Sequence, residues 1–231
     1  MKIKFYAHAC FRLEGKSPQG NALSVVTDPY TPGSDASGFD PIDEAADIVL
    51  MSSDTDRFHS DPSHVTGIPT VVNTLDLPEG GQTIQGLHVN SYPVSESLTF
   101  DYGDRDPDDN AMYTFTLDGI RVLHIGDIGN PLSDEHLNAL RGSVDVMFAL
   151  TGGHATIALD DLDTAIDVIQ PRAIIPMHYY SDRGVLQIQP VSDFTDRYPA
   201  EQVTYVGNTE LVLDLDSLPN TRHIYVLEQS R

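Results

Sequence analysis

The apolar residues of this 231-residue chain come in short runs set off by Gly, Pro, Asn and Asp, a pattern that limits it to a fold built mainly on sheets. Through the first half the runs are strand-like: 2–6, 9–13, 23–27, 46–51, 70–73, 86–93 and 112–117. Asp118-Gly119 then turns the chain into 120–125, the pair that a tight two-residue hairpin favours because it tolerates positive φ. The second half changes character. Residues 133–140 and 160–169 read as helices, the second with Leu162, Ala165, Ile166 and Ile169 at helical spacing. Each leads into a buried-looking strand, 144–150 and 173–177, and a short helix over 190–197 precedes strands at 203–206, 210–215 and 223–227. With no Pro/Gly linker between them, residues 1–231 read as one α+β or α/β sandwich domain. No apolar run approaches the ~18 to 20 residues of a membrane span. The strand-like start at Met1 leaves no room for a signal peptide, so a cytoplasmic protein is expected.

Charge decides which partners to exclude. The chain carries 35 acidic and 13 basic residues, a net charge of -22, with 27 Asp and 8 Glu against 3 Lys. Nucleic acid needs a basic footprint and anionic membranes need a basic patch, so both are excluded as partners and a small-molecule ligand or substrate is expected. Such a charge repels itself in the compact state, and salt screens the repulsion over roughly 3 Å at 1 M. The acidic composition therefore predicts a salt-adapted, halophilic protein. The lone Cys10 rules out an internal disulfide and reads, between Ala9 and Phe11, as a small buried hydrophobe. In the acidic loop 101–110, Asp104, Asp106 and Asp108 recur as in a calcium loop. Asp109 stands where such a loop needs Gly, and Phe115 where it needs Glu, so the stretch reads as a solvated loop.

Chemistry is concentrated where strands end. Asp28 follows 23–27, Asp127 follows 122–126, His178 follows 173–177, and Gly152-Gly153-His154 follows 146–150. In layered folds the loops beyond strand ends carry ligands while the strands supply rigidity. Asp and His at several such ends can converge on a metal; taken singly, Asp28 or Asp127 can equally cap a turn, and His178 can hydrogen-bond within the fold.

Ala7-His8-Ala9-Cys10-Phe11, Thr27-Asp28-Pro29-Tyr30, His124-Ile125-Gly126-Asp127-Ile128-Gly129, Gly152-Gly153-His154 and Ile175-Pro176-Met177-His178-Tyr179 occur in this order. Together they resemble the metallo-β-lactamase-fold superfamily, in particular its branch similar to L-ascorbate-6-phosphate lactonase. The resemblance covers residues 1 to about 180. It implies an α/β fold of the αββα sandwich type, two mixed β-sheets flanked by helices, with the active site at one edge between the sheets. The family's His-x-His-x-Asp-His motif, which should follow 46–51, is degenerate here. An ungapped match puts Ser53, Thr55, Arg57 and Phe58 in the ligand positions, while a shift of one residue offers Asp54, Asp56, Phe58 and His59. The ungapped match is preferred, because Asp61 then falls where the family often has an acidic residue.

The resemblance further implies metal ligation by Asp127 and His178, with Glu96 as the best match to a missing His and His59 or His154 as further donors. A full binuclear zinc site is not expected; a single divalent ion, Zn, Mn or Fe, is. Asp127, His154 and His178 are the candidate catalytic residues. His8, Asp28 and Arg57 are candidates for substrate binding, Arg57 through one anionic group. The expected activity is hydrolysis of a small ester, lactone or phosphoester by metal-activated water. The alternative is a metal-free, non-catalytic binding protein that keeps the fold and cleft. His124 is expected to orient the Gly126-Asp127 turn from outside the ligand set. His64, His88, His136 and His223 read as structural or surface residues, and a homo-oligomer stays open because related hydrolases often self-associate.

Overall fold

A computed structural model describes residues 1–55, 58–96, 109–153 and 156–231. In chain order the strands of the first half are β1 (Lys2–Ala7), β2 (Cys10–Lys16), β3 (Ala22–Thr27), β4 (Ile48–Met51), β5 (Thr70–Asn73), β6 (Gln82–Ile84), β7 (Leu87–Ser95), β8 (Asp109–Leu117) and β9 (Ile120–His124). Three helices then alternate with strands: α1 (Asp134–Leu140), β10 (Val146–Leu150), α2 (Leu159–Ile169), β11 (Ala173–Met177) and α3 (Val191–Thr195). The last strands are β12 (Val203–Tyr205), β13 (Glu210–Val212) and β14 (His223–Val226). These match the expected elements closely. The three-residue β6 lies outside the expected set, too short to show a period of its own.

Two mixed sheets result, in the orders β13-β1-β2-β3-β4-β5 and β12-β14-β11-β10-β9-β8-β7-β6. Within the first, β1 alternates in the manner of a one-sided strand: Ile3 and Phe5 are buried while Lys2 and Lys4 turn outward. In the second, β9, β10, β11 and β14 run parallel, and every residue of β10 and β11 is buried, as central parallel strands require. The crossovers β9–α1–β10 and β10–α2–β11 advance in one direction, which places both helices on one face of this sheet. The α2 helix buries Leu162, Ala165, Ile166 and Ile169 and stops at Gln170, whose φ is 58°.

The main core, including Phe5, Phe11, Val25, Leu50, Tyr113, Leu123, Phe148 and Ile175, is built from residues of both sheets. A second cluster lies on the other side of the first sheet, where Tyr6, Cys10, Val26 and Val49 meet Tyr30, Phe39, Ile42 and Val65. Among the described residues this outer face is covered by the mostly irregular stretches 29–47 and 58–65, with a single 3-10 turn at Pro62–His64, and not by an α-helix. Pro29, Pro32 and Pro41 together with Gly33 and Gly38 break helical hydrogen bonding there. His64 pins the first of these stretches, accepting the Ile42 N–H at Nδ1 (2.9 Å) with Nε2 2.7 Å from the Tyr30 carbonyl oxygen. His88 is exposed, His136 is half-buried against Tyr92, and His223 meets the Thr204 hydroxyl. None of the described helices is long and apolar enough to cross a membrane.

The strand ends that matter collect at one edge. Ala7, Thr27, Met51, His124 and Met177 are the last residues of β1, β3, β4, β9 and β11. Two main-chain hydrogen bonds cross between the sheets there, from His178 N to His8 O (2.8 Å) and from Ala111 N to Ser52 O (2.9 Å).

Candidate metal centre

His59, Asp127 and His178 come together at this edge, all three buried, each offering one ligand atom within 4.8 Å of the others. His59 Nε2 is 3.0 Å from Asp127 Oδ2, and the His59 and His178 rings stack at 5.2 Å with an 18° interplanar angle. One donor follows β4 in the first sheet, and two follow β9 and β11 in the second.

Local backbone geometry aims these groups. His8, Asp28 and His178 have φ of 50°, 37° and 51°, the left-handed region that non-glycine residues enter only where surrounding structure holds them. Asp127 follows Gly126, whose φ is 63°. A Cβ on Gly126 would run into Asn110 Oδ1 and the Ala111 carbonyl oxygen, so only glycine fits. Asn110 Oδ1 accepts the Asp127 N–H at 2.9 Å. His124 Nδ1 accepts the Gly126 N–H at 3.1 Å, and its Nε2 then donates to the Ala9 carbonyl at 2.9 Å. The expected orienting place of His124 thus has a definite tautomer.

Behind His59 stands Asp28, fully enclosed. Its Oδ1 accepts the Ser52 N–H (2.7 Å) and its Oδ2 the Ser52 hydroxyl (2.8 Å). Its Oδ2 lies 4.0 Å from His59 Nδ1 and 3.6 Å from His124 Nδ1. Burial pushes the Asp28 carboxyl above its ordinary pKa, opposed by His124, His59 and the two Ser52 hydrogen bonds. Burial also raises Asp127, but the positive character of His59 and His178 outweighs it and brings that carboxyl down to about 2. Burial, followed by repulsion from His178 and His59, drives the His8 imidazole well below its usual value. The centre therefore holds an ionised carboxylate beside His59 and His178, with His8 next to them favouring its neutral form.

Two imidazole nitrogens and one carboxylate oxygen make a donor set suited to Zn, Fe or Mn. Asp127 Oδ1 is buried and has no hydrogen-bond partner among the described residues. A buried oxygen left in that state is costly, and a cation satisfies it, so the residues fit a single ion.

The structure places the sequence-derived candidates unequally. Asp127, His178 and His59 converge. The ungapped reading of the motif is corrected: His59, not Phe58, reaches Asp127, because an imidazole nitrogen can pair with a carboxylate or share an ion with it and a phenyl ring cannot. Phe58 instead packs its ring against His8 at 5.3 Å and 61°. Glu96 is buried just beyond β7 and is not one of the three converging donors. His8 is buried beside His178, with ring centroids 5.5 Å apart. Asp28 faces Ser52 and His59 from inside the fold. Asp61 caps the turn at Pro62–His64 through the Ser63 N–H. Arg57 and His154 lie outside the described residues, as do Asp104, Asp106 and Asp108 of the acidic loop. Ser52 and Asn110 escape sequence reasoning altogether. Their partners lie 24 and 17 residues away, and Asn110, by composition the end of the acidic loop, belongs to β8.

A family profile described as the beta-lactamase superfamily domain matches residues 2–178. A metal-dependent hydrolase of Thermococcus onnurineus is 24% identical over 203 residues, covering 78% of this chain and 84% of its own. One from Thermoplasma volcanium is 27% identical over 199 residues, covering 78% and 83%. Among solved structures, a Thermotoga maritima protein assigned as a Zn-dependent hydrolase of the metallo-β-lactamase superfamily superposes with a TM-score of 0.74 at 27% identity, covering 99% of both chains. The isothiocyanate hydrolase from Delia radicum gut bacteria shares the fold, with a TM-score of 0.60 at 14% identity over 85% of this chain and 92% of its own.

Proposed function

The chain belongs to the beta-lactamase superfamily, and on that premise we propose that it is a metal-dependent hydrolase working with one divalent ion, Zn, Mn or Fe, on a small ester, lactone or phosphoester. The observation that carries this reading is the convergence of His59, Asp127 and His178 within 4.8 Å. The names of the relatives, metal-dependent hydrolases in Thermococcus and Thermoplasma, support the same reaction class. When bound, such an ion supplies an acidified water and a Lewis acid toward a carbonyl or phosphoryl oxygen.

The chain's own residues do the rest. Asp127 brings the negative charge, held ionised by His59 and His178 and aimed by the Asn110 and Gly126 contacts. His59 and His178 supply imidazole nitrogens in stacked rings. Asp28 supports His59 from behind rather than contacting substrate, since both its oxygens are taken by Ser52. His154 keeps the role that the family resemblance implies, positioning substrate or donating a proton, and the Arg57 guanidinium contacts one anionic group. With 13 basic residues against 35 acidic ones, the surface disfavours a highly phosphorylated substrate, so lactones and simple esters are the first choice. That choice agrees with the lactonase-like branch that the motifs resemble.

Metal content per chain, measured by elemental analysis on tag-free protein purified in high salt, tests the reading. Samples incubated with Mn, Zn or Fe should hold one ion per chain, Asp127→Ala should lose it, and the loaded protein should hydrolyse members of a lactone, ester and phosphoester panel. Protein that takes up no ion under any condition overturns the reading and leaves a metal-free binding cleft.

A further inference from the structure

His8 is a buried imidazole that the ligand set above leaves unused. It follows β1 in the left-handed region, with φ of 50°, and its main-chain carbonyl accepts the His178 N–H at 2.8 Å. The rings of Phe39, Phe58 and Tyr30 enclose it edge-on at 4.9, 5.3 and 6.0 Å. The Ser37 main chain favours the protonated form of the ring, against the larger effect of burial. Its Nε2 is buried and has no hydrogen-bond partner among the described residues. A proton on Nδ1 leaves Nε2 as a bare lone pair. That is the arrangement of a metal-ligating histidine, which donates its other ring N–H to a carbonyl or carboxylate and is oriented by it. Buried structural histidines satisfy both nitrogens, as His64 and His124 do here.

We propose that His8 Nε2 is a fourth protein ligand for the ion held by His59, Asp127 and His178. This rests on the metal reading above and names an additional donor for it. The His8 and His178 centroids are 5.5 Å apart, close to the 5.2 Å between His59 and His178 within the triad. His8 is not one of the three donors within 4.8 Å of each other, so ligation requires its ring to turn toward them as the ion binds. The first sheet then contributes His8 and His59 and the second Asp127 and His178, which makes the ion a clasp between the sheet edges. It also accounts for how a chain with a degenerate motif after β4 retains a nitrogen-rich site. Four protein ligands leave an open position only on an ion that takes five or six, which favours Mn or Fe over tetrahedral Zn.

Cobalt(II) is the probe. Its affinity and visible absorption spectrum are measured for the full chain, for His8→Gln, and for His8→Asn, a residue that tolerates the left-handed backbone. Both variants should bind cobalt(II) more than about 100-fold more weakly, beyond the roughly 10–100-fold range of groups that only support a ligand, and with an altered spectrum. A variant that melts like the metal-free parent yet binds within that range with an unchanged spectrum overturns the fourth ligand and leaves the triad standing. A parent that binds no cobalt(II), Mn, Zn or Fe overturns both. On the unaltered chain, nitrogen-15 histidine NMR should show the His8 Nε2 resonance moving on zinc loading together with those of His59 and His178. A His8 resonance that stays in place while the other two move overturns the proposal whether or not the variants fold.

Discussion

Replacing Asp28 by asparagine isolates what its charge does for the metal centre. Asp28 accepts the Ser52 N–H and hydroxyl at 2.7 and 2.8 Å. An asparagine keeps both contacts: its carbonyl oxygen takes the N–H, and its amide donates to the hydroxyl, which reverses its own role. Folding therefore loses little, whereas the negative charge 4.0 Å from His59 Nδ1 disappears. A carboxylate behind a ligating imidazole fixes the ring and raises its basicity, and removing one costs about 10–100-fold in metal affinity. At 4.0 Å the contact is longer than a hydrogen bond, which puts the expected loss at the lower end, about 10-fold or about 1.4 kcal/mol. Competition titration against a chelator at fixed pH, with a thermal melt of the same samples, reads both quantities. An affinity for Asp28→Asn within about twofold of the parent, at equal melting temperature, would refute the argument that Asp28 supports His59. Asp28→Ala should behave differently. It strands two buried Ser52 donors at about 1–3 kcal/mol each and should lower the melting temperature of metal-free protein.

Other consequences follow from the same geometry. The Asp145 carboxylate accepts from Arg121 N, Nε and Nη2 at 2.9, 2.8 and 2.8 Å; burial raises its pKa, but these bonds outweigh that and hold it below the ordinary value. Its contribution is therefore present above the unfolded carboxylate range and lost as pH falls through the depressed folded value. Asp145→Asn should cost about 2 kcal/mol near neutrality, or roughly 4–8 °C in Tm, and the gap to the parent should close in acid; a constant gap across pH counts against it. Gly126→Ala combines a left-handed backbone with a Cβ driven into Asn110 and Ala111, so a loss of about 3 kcal/mol is expected by thermal melt, together with weaker metal binding. Finally, a net charge of -22 predicts that Tm rises steeply between low salt and multimolar KCl, and a flat profile would remove the case for salt adaptation.

Much of this molecule was legible from periodicity. Apolar runs such as 173–177 and the spacing of Leu162, Ala165, Ile166 and Ile169 announce their strand and helix because burial on one face leaves a period in the chain. Asp127 and His178 stood out for a related reason, as polar residues at the ends of buried strands. His59 was harder. Counting along the motif favours Phe58, because a linear match cannot register which side chain the fold turns toward Asp127. Ser52 and Asn110 left no trace at all, since a hydrogen bond across 24 or 17 residues has no sequence period.

The sequence by itself determined the order of strands and helices, the acidic surface, and the residue types available for ligation, all of which depend on local pattern and composition. Only the tertiary structure decided which of those residues meet. Two sheets joined by main-chain bonds at His8–His178 and Ser52–Ala111 bring the ends of five strands to one edge. Left-handed turns at His8, Asp28 and His178 then position the side chains there. Convergence of this kind is a property of packing and backbone strain, and neither is written in any short stretch of chain.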